Sequence, residues 1–261
     1  MDLTLDGRHA LVCGASEGIG RATAHELALL GADVTLLARR AEVLTEAAAA
    51  LPRKQGQQHA WIAADVARSD ALAAKVQALA AGRPVQILVN NTGGPPGGPA
   101  HTAAITEFED AFRKHLVANH LLLQAVLPGM RAANWGRVVN VVSTSVREPI
   151  PNLGVSNTIR GAVASWSKTL SRELAPFGIT VNNVLPGFTD TGRIERLVRA
   201  RAEATGMPEA DIAEGMRQAV PAGRFARPEE VGGVIAFLCS PAAAYVNGVS
   251  LAVDGGRMQS I

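Results

Sequence analysis

Short runs of Val, Ile and Leu alternate along the chain with longer stretches whose apolar positions repeat every three to four residues. Continuous apolar runs of that length suit strands buried on both faces, and the longer stretches suit amphipathic helices that cover them. The alternation predicts an α/β fold with a doubly wound, parallel sheet and helices on both faces. Strands are expected at 9–13, 33–38, 59–63, 85–90, 137–143, 180–185 and 250–253, giving seven strands with six helical segments between them. In such a sheet the functional crevice lies beyond the carboxyl ends of the strands. The segments that follow these strands are rich in Gly, Pro, Asn and Ser.

One interval, 187–227, is long and irregular and carries two short helical patterns, where a substrate lid at about 188–227 would sit. Arg193, Arg196 and Arg199 lie in it; they read as a solvated helix face, the alternative being a contact with an acidic substrate or carrier. No second domain or internal repeat is visible, so residues 1–261 are expected to form one domain. A formal net charge of +2 and the lack of any long Lys/Arg run argue against a nucleic-acid or membrane-surface partner and favour a small-molecule substrate. No apolar run is long enough to span a bilayer and the amino terminus does not read as a secretory leader, so a soluble, cytoplasmic protein is expected. Cys13 and Cys239 stand alone in apolar segments and read as buried free thiols; no metal site is expected.

After the first strand comes CGASEGIGRATAHELA, with Gly14, Gly18 and Gly20 in a turn that opens a helix. Such a turn lets backbone approach a pyrophosphate, whose charge meets free amides and the positive end of the helix dipole. Further segments are ILVNNTGG, GRVVNVVS, ITVNNVLPGFTDT and GRFARPEEVGGVIAFLCSPAAAYVNGVSLAVDGG. Together, and in this order, they resemble the motifs of the short-chain dehydrogenase/reductase family over essentially the whole chain. The nearest likeness is its 3-oxoacyl-carrier-protein reductase group, with the Thr-Gly-Gly-Pro-Pro run marking a divergent branch. The resemblance implies a Rossmann fold, an oxidoreductase acting on a carbonyl or alcohol, and a homotetramer built on the helices around Asn119 and Trp166. It also places the segment from Val253 to the carboxyl end near a subunit contact.

The same resemblance assigns cofactor contacts to Gly14, Ser16, Gly18, Ile19 and Gly20 in the turn, to Asp65 and Val66 after the third strand, and to Asn91 and Gly93 after the fourth. It assigns others to Pro186, Gly187, Thr189 and Thr191 after the sixth strand. At the end of the second strand Ala38 stands where an acid would bind the ribose of NAD, and Arg39 beside it suits the extra phosphate of NADP. NADP is therefore expected, with NAD as the alternative, since Glu17 in the glycine turn would repel a nearby phosphate. Asp65 by itself also reads as a helix cap.

In the family a Tyr donates the proton and a Lys four residues later holds the ribose, with a Ser and an Asn completing the site. Asn119 and Ser143 match the last two. The Tyr position falls on Ser156 and the Lys position on Arg160, in LGVSNTIRGAVASWSK, and the single Tyr of the chain, Tyr245, is taken up by the carboxyl-terminal motif. Spacing of four keeps Ser156 and Arg160 on one helix face. Arg160 can grip ribose or phosphate, and joins the cofactor-contacting positions, but it cannot tune a neighbour's proton as a Lys does. Ser156 is a poor acid, and Ser156, Asn157 and Thr158 read equally as a helix amino-terminal cap. His101, His115 and Glu148 are substitute proton donors to consider, His120 points away, and a water held by Asn119, Ser143 and Ser156 is the simplest donor. Two functions remain open: an oxidoreductase with an altered proton relay, or a cofactor-binding protein without turnover that serves as a sensor or partner subunit.

Overall fold

The computed structural model describes residues 1–54 and 56–260. It contains one seven-stranded sheet, in the order β3-β2-β1-β4-β5-β6-β7, with every neighbouring pair parallel. The strands are β1 His9–Cys13, β2 Asp33–Ala38, β3 Ala60–Ala63, β4 Ile87–Asn90, β5 Gly136–Val141, β6 Ile179–Pro186 and β7 Ser250–Val253. The first, second and seventh coincide with the apolar pattern residue for residue. β3 starts one residue late because the imidazole of His59 turns aside, accepting from the Val34 amide and contacting the Pro52 carbonyl. β5 stops at Val141, which leaves Ser143 beyond the strand end rather than within it.

Helices α1 Gly18–Leu29, α2 Ala41–Ala49 and α3 Ser69–Gly82 connect the first four strands. The β4–β5 connection holds α4 Ile105–Phe112, a π turn Arg113–Val117 and α5 Ala118–Ala132, where the periodicity alone suggests one helical segment. α6 Gly154–Leu174 leads to β6; α7 Gly192–Thr205 and α8 Glu209–Gln218 fill the long interval; α9 Pro228–Cys239 precedes β7.

Alternation along the strands divides the core into two layers. Ala10, Val12, Val34, Leu36, Ile87 and Val89 face α1, α2 and α9, while Leu11, Cys13, Leu37, Leu88 and Val138 face α3, α5 and α6. The chain winds outward from β1 to β3, then crosses to β4 on the other side of β1. The loops after β1 and β4 therefore diverge and open a crevice between them. Cys13 and Cys239 are buried free thiols whose pKa is pushed up to about 12 by burial, so both are inert. No described helix is long and apolar enough to cross a membrane, and no group of three or more His, Cys, Asp or Glu side chains could hold a metal ion among the described residues.

The crevice floor depends on glycine. A Cβ on Gly20 would stand 2.3 Å from the Gly14 carbonyl oxygen, and one on Gly14 would stand 2.6 Å from that of Asn91. The substitution Gly20→Ala is expected to lower stability by about 1–3 kcal/mol through this overlap, read as a downward shift in the thermal midpoint, and to weaken NADPH binding measured by fluorescence titration.

Candidate active site

The glycine turn joins β1 to α1, with Gly14 at φ 60° and Gly18 at φ 56°, a left-handed conformation that side chains disfavour. The Asn91 side-chain amide donates to the Gly14 carbonyl at 3.4 Å, tying the loops of β1 and β4 across the switch point. Glu17 precedes α1 without capping it, which leaves the first-turn amides open to an anion. These features fit a dinucleotide pyrophosphate. Ser16 lies in the turn, half-buried, and Ile19 packs against the first core layer.

The carboxylate of Glu17 is paired with Arg40 at 2.8 Å and with Arg196 at 3.8 Å. Its charge is therefore partly met, which softens the repulsion expected against a phosphate. Arg39 is exposed and has no partner among the described residues, a free guanidinium at the end of β2. Asp65 accepts from the Ala67 amide at 3.0 Å; the residue at the cap of α3 is Arg68, so Asp65 shapes the loop rather than capping the helix. Val66 packs on the second core layer.

Beyond β6, Pro186 ends the strand and Gly187 lies so close to Asp254 that a Cβ there would meet its Cα at 2.7 Å. The Thr189 hydroxyl donates to the Gly187 carbonyl and that of Thr191 to the Thr189 carbonyl, both at 3.3 Å. The Thr191 methyl faces Gly18. The residues assigned to the cofactor thus line the carboxyl ends of β1, β2, β3, β4 and β6.

Ser156 and Arg160 are buried on one face of α6. Arg160 Nε donates to Ser156 Oγ at 3.3 Å, and its Nη1 donates to the carbonyls of Val142 at 2.5 Å and Val141 at 3.3 Å. The guanidinium is thus bolted to the end of β5, just before Ser143. Burial and then the charge of Arg193 lower its pKa to about 10, which leaves it a cation at neutral pH. Ser143 Oγ accepts from the Ser145 amide at 3.1 Å and caps the turn that follows. Helix α6 itself begins at Gly154, with Leu153 at its cap. This corrects the capping role for Ser156, Asn157 and Thr158: the Asn157 amide bridges to Ile150 and the Thr158 hydroxyl donates to the Gly154 carbonyl.

Asn119 is buried in the first turn of α5, and His115 is buried within the π turn before it. Burial first, and then the charges of Arg160 and Arg193, push the His115 pKa down to about 3, against a hydrogen bond with the Gly93 backbone. It is neutral at pH 7 and no proton donor. His101 is exposed in a 3-10 turn, and His120 stacks edge-on against Trp166 at 6.2 Å. Glu148 accepts from the amides of Gln259 and Ser260, bonds that lower its pKa. It clasps the carboxyl-terminal tail and carries no proton to donate.

One group goes unnoticed in the sequence, and another, Arg193, reads there chiefly as part of a solvated helix face. Ser145, two residues past Ser143, is buried with a hydroxyl that has no hydrogen-bond partner among the described residues. Arg193 turns its guanidinium onto Gly94, where a Cβ would stand 2.6 Å from it. Among the other arginines of α7, Arg196 and Arg199 face acids, Glu17 and Glu209. What singles Arg193 out is the glycine pair at 93–94, which leaves room for a large side chain.

An open glycine turn at the switch point of a doubly wound sheet, with polar groups converging beyond β5, defines a dinucleotide-binding α/β enzyme scaffold. Residues 14–257 match the family model described as enoyl-(acyl carrier protein) reductase. The chain is 34% identical to the 3-oxoacyl-[acyl-carrier-protein] reductase FabG of Pseudomonas aeruginosa, over 99% of this chain and 100% of the relative. It is 36% identical to the cis-4-hydroxycyclohexanecarboxylate dehydrogenase of Sinomonas cyclohexanicum, over 95% and 96%. The L-sorbose reductase of Gluconobacter frateurii, solved with NADPH and L-sorbose, superposes with a TM-score of 0.93 at 30% identity, covering both chains completely. The chain belongs to the short-chain dehydrogenase/reductase family, and the relatives it matches are oxidoreductases.

His115 gives a test through stability. Its folded pKa lies below the unfolded value near 6.5, so the unfolded chain takes up the proton first and stability falls as pH drops below 6.5. Between pH 6.5 and 5 the wild type should lose about 1.6 kcal/mol that the His115→Gln variant does not, the slope approaching about 1.36 kcal/mol per pH unit below the unfolded pKa. Urea denaturation of both proteins at each pH measures the difference, and parallel curves would refute the buried neutral imidazole.

Proposed function

We propose that this chain is an NADP(H)-dependent oxidoreductase acting on a carbonyl or alcohol, with an altered proton relay. The observation that carries the reading is the Ser156–Arg160 pair, held in register beside the open cofactor crevice and next to Ser143. NADPH in the sorbose reductase and the exposed, unpaired Arg39 support NADP over NAD. When bound, the nicotinamide supplies the hydride.

The residues of the chain do the rest. Ser143 and Ser156 offer hydroxyls to a substrate oxygen, and the preorganised charge of Arg160 favours negative charge developing there. Asn119, Ser143 and Ser156 hold the water that delivers the proton, in the space a phenol would fill. Residues 188–227 cover the crevice as a lid, based on the pairing of Thr189 with Ala226.

A second reading, a cofactor-binding subunit without turnover, is favoured by one observation: Arg160 Nη1 is spent on the Val141 and Val142 carbonyls. Single-turnover oxidation of bound NADPH by a panel of ketones and 3-oxoacyl thioesters separates the two. Oxidation by at least one member is expected, about 10²- to 10⁴-fold slower than for Ser156→Tyr with Arg160→Lys, the range a good general acid is worth. Silence of the wild type across the panel, with activity only in the double variant, would establish the second reading.

A further inference from the structure

Two arginines, Arg160 and Arg193, come to the crevice beyond β4 and β5 without an ion-pair partner among the described residues. Arg160 is nine-tenths buried; its Nε and Nη1 are taken by Ser156 and the end of β5, and Nη2 makes no hydrogen bond among the described residues. Arg193, on α7, reaches over the opposite wall and lays its guanidinium on Gly94. His115 approaches the same loop from below and bonds the backbone of Gly93. Residues 93–94 are thus held between a neutral imidazole and a cation, with the second cation across the crevice. Neither Arg160 nor Arg193 has a carboxylate partner among the described residues, although the neighbouring Arg196 and Arg199 both do.

Two guanidinium groups that influence one another without an intervening acid repel, and desolvating either raises the penalty. A carboxylate placed between them would relieve both, accepting charge-assisted, fork-shaped hydrogen bonds from each. The location argues for a substrate rather than a cofactor anion. The pyrophosphate cradle lies at Gly14 to Gly20, where Arg40 and Arg196 already bracket Glu17. Arg193 turns away from that end, toward the loop after β4. It remains solvent-accessible, so an incoming anion can reach it.

We propose that Arg193 and the free edge of Arg160 form a carboxylate subsite, and that this protein acts on a carboxylate-bearing carbonyl or alcohol. Arg193 is the specificity-determining residue, and Arg160 holds the inner side of the anion. The proposal rests on the oxidoreductase reading for the word substrate, but the subsite itself is a matter of binding.

The test is calorimetric titration of the NADP⁺-loaded protein with oxo acids of graded size, 4-oxocyclohexanecarboxylate, phenylpyruvate and 2-oxoglutarate, each paired with its methyl ester. At least one acid should bind ten-fold or more tightly than its ester. Arg193→Gln should abolish that preference, Arg193→Lys should restore part of it, and the NADPH dissociation constant should stay within two-fold in both. Acid preference in none of the pairs overturns the proposal. So does a preference that survives in Arg193→Gln, or a loss of NADPH affinity in that variant, which would assign Arg193 to a cofactor phosphate. Acid-selective binding without NADPH oxidation would leave the subsite standing and refute the oxidoreductase reading alone.

Discussion

Much of this site hangs on one buried cation. A guanidinium withdrawn from water is unfavourable unless its donors are met, and Arg160 meets those on Nε and Nη1 without any acid, by donating to two carbonyls at the end of β5 and to Ser156 one turn back on its own helix, which leaves Nη2 open among the described residues. That arrangement joins α6 to the strand end that presents Ser143. A Lys ammonium is a compact point charge without the planar fork that reaches two strand carbonyls and a helix hydroxyl at once. Burial, helped by the Arg160 charge, keeps His115 neutral. Ser156 and Arg160 are therefore one unit: the serine leaves space, and the arginine uses it.

Around this unit the sheet topology does the positioning. Because β1 lies between β2 and β4, the loops leaving β1 and β4 part company, and the gap is kept open by close backbone contact rather than by side chains. Gly14, Gly20 and Asn91 approach within distances that no Cβ could occupy. A rigid floor of backbone amides faces the crevice, while the variable chemistry is carried on its walls by α5, α6 and α7.

The fold was readable because a parallel sheet buries both faces of its strands, and short apolar runs with no polar alternation are stable in few other settings. The register of Ser156 and Arg160 was readable because spacing on a helix survives substitution. Tertiary direction was not. Arg193, Arg196 and Arg199 are alike in sequence, and only the placement of Glu17, Glu209 and Gly94 separates two ion-paired residues from one that enters the crevice. Glu148 looked free to donate a proton until the returning tail, distant in sequence, claimed its carboxylate. The capping role for Ser156 failed for a local reason: α6 begins earlier, at a glycine pressed against Ala100, so the serine falls inside the helix.

The contact of Thr191 with Gly18, and of Arg196 with Glu17, means that the helix roofing the crevice rests directly on the turn that receives the dinucleotide. Any displacement of α7 must break the Arg196–Glu17 pair or carry the glycine turn with it. While that pair holds, the glycine turn and the amino-terminal end of α7 move as one piece or not at all.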